Sequence, residues 1–108
     1  MGMTHEVRLE REVPWAEATA RLAQRGMALQ MRMIDGALAA PDDQPPDGWR
    51  EVRVAHAGEM VTVRRVPGGV QVVAWENASP AQRQLWDALA WAFASAGGAR
   101  GPTSTSGG

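Results

Sequence analysis

The stretch "WREVRVAHAGEMVTVRRVPGGVQVVAWE", Trp49 to Glu76, decides the fold. It holds three short β-rich runs, "WREVRVAH", "EMVTVRRV" and "VQVVAWE", separated by Ala57-Gly58 and by Pro67-Gly68-Gly69. Tight turns between such runs fold each one back on its neighbour, so the stretch predicts an antiparallel meander. The third run is unusual. Val70, Val72 and Ala74 fall on one side of it and Val73 and Trp75 on the other, which makes it apolar on both faces. A sheet carrying helices on one face only should alternate. The expectation is therefore that a second chain covers the far face, or that the sheet curls until one monomer shelters both.

Upstream of the meander, "HEVRLEREV" from His5 to Val13 alternates, with Val7, Leu9 and Val13 against Glu6, Arg8, Glu10 and Glu12, and reads as a half-buried strand. The next segment, "PWAEATARLAQRGM", places Trp15, Ala18, Thr19 and Leu22 on one helical face. Pro14 sits where a missing amide does no harm, Glu17 where the helix dipole favours an acid, and Gly26 acts as a stop. "ALQMRMIDGAL" alternates through Leu29, Met31 and Met33 and reads as a second strand, which Asp35-Gly36 breaks with a turn or bulge. The loop "AAPDDQPPDG", Ala39 to Gly48, is too rich in proline and aspartate to be a regular element.

Downstream, "SPAQRQLWDALAWAFASAGG" from Ser79 to Gly98 carries its own punctuation. Ser79 is a good N-cap, Pro80 occupies the first helical position, Gln82 completes an S-x-x-Q capping box, and Gly97-Gly98 ends the helix. At about 100° per residue, Leu85, Trp86, Leu89, Ala92, Phe93 and Ala96 form one stripe, the face that grips the sheet. Trp91 lies nearly opposite Leu89, among Gln84, Asp87 and Ser95, and should point away from the core.

The element order is β-α-β-β-β-β-α. It predicts one α+β domain over residues 1–97, in two layers, with an antiparallel sheet of about five strands and both helices on one face. Residues 98–108, "GARGPTSTSGG", have nothing to bury and are expected to be a disordered tail. The order resembles helix-grip and TATA-binding-like architectures, an analogy of fold that carries no function.

Composition narrows the functional classes. The chain has 108 residues, a net charge of −1 and no cysteine, which excludes disulfides, thiolate metal sites and cysteine nucleophiles. Eleven arginines with no lysine, and nineteen alanines, are the signature of a G+C-rich coding sequence and point to a bacterial or archaeal source. The first residues lack the apolar core of a secretory signal, and no run approaches the ~18 apolar residues of a membrane span, so a cytoplasmic, membrane-free protein is expected. Arg8, Arg32, Arg53 and Arg64 are candidates to share one sheet face. Glu6, Glu10, Glu12 and Glu51 are interspersed with them, and no Phe or Tyr platform accompanies them, so nucleic acid is not the expected partner.

Chemistry-bearing residues are few. His56 and Glu59 flank a tight turn, an arrangement read as a turn contact ahead of a general base. His5 lies at the start of the chain, where fraying is expected. Asp42, Asp43 and Asp47 lack the regular spacing and closing glutamate of a calcium loop. Gly68-Gly69 is a hairpin turn and not a phosphate cradle, and Ser79 is a cap. No metal and no cofactor is expected. The reading is a non-enzymatic interaction or assembly module that self-associates or binds another protein, with Trp91, Asp87, Gln84, Val73 and Trp75 as interface candidates. The alternative is a small apolar ligand held in a helix-grip pocket lined by Trp15, Met31, Met33 and Trp86.

Overall fold

The meander forms as three antiparallel strands, β4 (Glu51–His56), β5 (Glu59–Val66) and β6 (Gly69–Trp75). These belong to a computed structural model that describes residues 2–75 and 77–97. Each connection is two residues long. Ala57 and Gly58 stand at φ 53° and 83° between the paired residues His56 and Glu59, the backbone of a type I′ hairpin. Pro67 and Gly68, the latter at φ 80°, join Val66 to Gly69 with the residue pattern of a type II turn.

The remaining strands are β1 (Gly2–Arg8), β2 (Gln30–Ile34) and the two-residue β3 (Ala37–Leu38). The sheet runs in the order β1-β6-β5-β4-β2-β3, every neighbouring pair antiparallel. The described residues thus form six strands where the sequence predicts about five. The sixth arises because Asp35-Gly36, at φ 49° and 85°, is a true hairpin turn that folds Ala37 and Leu38 back onto Ile34 and Met33.

Two helices are formed by the described residues, α1 (Trp15–Gln24) and α2 (Pro80–Gly97). The latter crosses the inner face of β1, β6 and β5, and α1 packs against it. The predicted stripe of Leu85, Trp86, Leu89, Ala92, Phe93 and Ala96 is buried throughout. Ser79 caps α2 by accepting the Gln82 amide at 3.1 Å. The Gln82 side chain does not close the capping box; its Nε2 donates instead to the Met60 carbonyl at 2.7 Å and ties the helix start to β5. Helix α1 ends in a Schellman motif, with Gly26 at φ 77° and the Met27 and Gly26 amides donating to the Leu22 and Ala23 carbonyls.

Two expectations are corrected. The first strand stops at Arg8 and does not reach Val13. Leu9 and Val13 pack over the end of α2, where a Cβ on Gly97 would lie 2.5 Å from Leu9 and 3.3 Å from Val13. The chain must leave the sheet there to climb to α1. In β2 the alternation breaks at a bulge, for Met31 pairs with Val54 but Met33 pairs with Arg53. Arg32 is the extra residue, so Met33 turns to the outer face and Ile34 takes the inward place. Residues 98–108, expected to be a tail, lie outside the described residues.

Register then defines both faces. Ile34, Val52, Val63, Val72 and His5 form one row across the inner face. Leu38, Met33, Arg53, Thr62, Val73 and Thr4 form the facing row outside.

Candidate functional site

The inner layer holds the aromatic residues that the sequence offers as core or pocket. Trp15 meets Trp49 edge to face at 5.7 Å and tilts against Phe93 at 6.0 Å. The Arg65 guanidinium lies 4.7 Å from the Trp49 ring and also donates to Glu12 at 3.2 Å. Trp86 is buried, and its Nε1 donates to the Val72 carbonyl at 2.7 Å, so the closing helix is pinned to the centre of β6.

His5 belongs to this layer and not to a frayed start. It is 5 % exposed and stacks on Trp86 with ring centroids 3.6 Å apart and planes 22° apart. Its Nε2 donates to Asp87 Oδ1 at 2.7 Å. Its Nδ1 and the Trp49 indole nitrogen are buried with no hydrogen-bond partner among the described residues. The histidine works as a peg between β1 and α2, flat against an indole and tied to a carboxylate at the helix surface. Sequence reasoning misses it because its partner lies 82 residues further on.

The four pocket candidates are not brought together. Trp15 and Met31 line a cleft of about 430 Å³ between α1, β2 and the proline-rich loop, with Leu29 and Val54 beside them. Trp86 lies in the core beneath α2, and the bulge has carried Met33 to the other face.

The interface candidates separate into two groups. Gln84, Asp87 and Trp91 lie on the outer side of α2, while Val73 and Trp75 lie on the outer face of the sheet, the opposite side of the molecule. Trp91 is 40 % exposed, because the Arg25 guanidinium from the end of α1 covers it at 4.4 Å from the ring centroid. Asp87 is engaged by His5. Trp75 is 69 % exposed and stands beside Met60, at 46 %, where Arg53, Thr62, Val73 and Gly2 complete a shallow groove of about 310 Å³. Leu38, 89 % exposed, lies at the far end of the same face.

Charge on this face is mixed. Arg64 donates to Glu51 at 3.2 Å, and Arg53 carries no hydrogen bond or ion pair among the described residues. The groups weighed for catalysis have structural partners: His56 Nδ1 donates to the Ala28 carbonyl at 2.9 Å, and Glu59 accepts the Ser79 hydroxyl at 3.1 Å. In the loop, Asp43 accepts the Ala40 amide at 2.8 Å and closes a local turn. The carboxylate of Asp35 is held by the backbone. Backbone amides of Glu51 and Arg50 donate to it and hold its pKa below the ordinary 3.8.

What these features define is a two-layer α+β domain whose sheet has one face that no helix among the described residues covers. No known protein family, curated protein or solved structure matches the chain.

Proposed function

We propose that this protein works by contact and not by catalysis, as a self-associating interaction module in which a second copy covers the open sheet face around Trp75. The observation that carries this reading is the indole itself. Trp75 is 69 % exposed on a strand whose other face is core, next to Met60 and Val73. An uncovered tryptophan forgoes the ~25 cal/mol per Å² of its burial, and tryptophan is enriched among the residues that anchor interfaces. A second copy offers the same surface in return, the geometry of a two-fold contact.

The test is light scattering on the purified chain from micromolar to hundreds of micromolar, with Trp75→Ser in parallel. Removing a buried interface tryptophan commonly costs about 2 kcal/mol, and a two-fold contact loses two, so the dissociation constant should rise about a thousandfold while the circular dichroism stays unchanged. Concentration-independent monomer mass in the parent protein would sink the reading, as would equal association by the variant.

One observation favours a second reading, the binding of a small apolar ligand. The cleft beside α1 exposes Ala16, Ala20 and Ala23 across from Leu29 and Met31, an apolar wall of small side chains. Ala20→Trp would fill it. Binding of an apolar fluorophore that survives this substitution argues against that cleft.

A further inference from the structure

We propose that the cleft between α1, β2 and the proline-rich loop binds an amphiphilic amine, an apolar body whose protonated amino group sits against Asp42 and Asp43. The inference rests on the apolar-ligand reading of that cleft and gives the ligand a charge.

The cleft exists because α1 is paved with small side chains on one side. The helix packs against α2 and buries Trp15, Ala18 and Leu22. Residues three and four apart lie over one another on a helix, so Ala16, Ala20 and Ala23 share a different face. All three are exposed and line the cleft, with Leu29, Met31 and Val54 in the opposite wall. A methyl group is too short to close the gap. About 430 Å³ remains, a volume within the roughly 300–1,000 Å³ of small-molecule sites.

The rim is fixed in advance. The Met31 amide donates to the Pro41 carbonyl at 2.9 Å, and the Asp43 amide to the Ala40 carbonyl at 3.0 Å. Asp43 Oδ2 accepts the Ala40 amide in return at 2.8 Å. These bonds hold the loop beside β2, so a ligand meets a wall already formed and is spared the cost of ordering it.

Charge then names the occupant. Asp42 and Asp43 line the cleft and are exposed, and the Asp42 side chain makes no hydrogen bond or ion pair among the described residues. Among the described residues no arginine lines the cleft. Arg21 and Arg25 turn to α2 instead, the first donating to Ser95 at 3.4 Å and the second covering Trp91. Two carboxylates at the mouth of an apolar wall, with no cation of their own, attract a ligand that brings one and repel a ligand that brings a third carboxylate. Trp15 adds to this preference. Trp49 and Trp91 each carry a guanidinium at the ring, whereas Trp15, which lines the cleft, carries none among the described residues, and indole is the aromatic ring that best holds a cation.

The experiment is calorimetric titration of the full chain at low salt with octylamine, octanol and octanoate, three probes with one tail and three head groups. Octylamine should bind at least about tenfold more tightly than octanol, the worth of one charge-assisted hydrogen bond, and octanoate should bind least. Asp42→Arg, a change at an exposed and unpartnered side chain, should weaken octylamine by about tenfold and leave octanol unchanged, with native dichroism. Added salt should weaken octylamine alone. Octanol or octanoate binding as tightly as octylamine overturns the assignment of charge, as does an Asp42→Arg chain that holds octylamine like the parent. If Ala20→Trp then blocks all three probes equally, the apolar cleft stands without its charge preference. If none of the probes binds, or if Ala20→Trp blocks none, the cleft reading falls and the amine with it.

Discussion

Ala57 holds a conformation that its side chain opposes. At φ 53° the Cβ crowds the following carbonyl, at a cost of about 1 kcal/mol that asparagine largely avoids. Ala57→Asn should therefore stabilise the protein by about 0.5–1 kcal/mol, seen as a thermal midpoint several degrees higher. An unchanged or lower midpoint would show that the hairpin is not limited by this residue. Single residues were read unevenly from the sequence. The buried stripe of α2 was legible because helical geometry alone assigns its faces. Met33 was not, because a bulge shifts every later side chain by one position without disturbing the alternation of residue types. Trp49 and His5 were missed for a different reason. Their surroundings come from segments remote in sequence, Trp15 and Arg65 for one and Trp86 and Asp87 for the other.

At the scale of elements, the β2–β3 turn is joined to the start of β4 through Asp35, whose amide donates to the Glu51 carbonyl at 2.8 Å and whose carboxylate accepts in return. Asp35 Oδ1 accepts the Arg50 and Glu51 amides at 2.7 and 3.0 Å, and these two bonds hold its pKa below 3.8. A depressed carboxylate contributes its stabilisation above the ordinary pKa and loses it as pH falls through the folded value. Exchange of the Arg50 and Glu51 amides should accordingly be flat from pH 7 to about 4.5, once corrected for intrinsic rates, and accelerate only in stronger acid. In Asp35→Ala both amides should be fast at every pH; protection that persists there would remove the carboxylate from the account. Elements were the most legible level of this chain. Caps, glycine stops and turn dipeptides are local, and they located both helices and the meander. Element ends were less so: β1 gives way at Arg8 because the chain must rise to α1, and nothing in the pattern of His5 to Val13 encodes that departure.

For the molecule as a whole, the decisive contact joins β1 to β6. Arg8 pairs with Gly69 and Gly2 with Trp75, so β1–β6 pairs span 61 to 73 residues of chain. Such closure costs more entropy than the two-residue hairpins of the meander, which places β1 late in folding. Val7→Ala should cost about 2 kcal/mol, taken up chiefly as faster unfolding with a nearly unchanged folding rate in a chevron plot. A folding limb slowed in proportion would put β1 in the nucleus. The bare face has a spectroscopic consequence as well. Trp15, Trp49 and Trp86 are dry, Trp91 is half sheltered, and Trp75 stands in water. The chain's emission must contain a red, iodide-quenchable component from Trp75, with a smaller share from Trp91, and whatever comes to rest on the sheet will announce itself by shifting the Trp75 share to the blue.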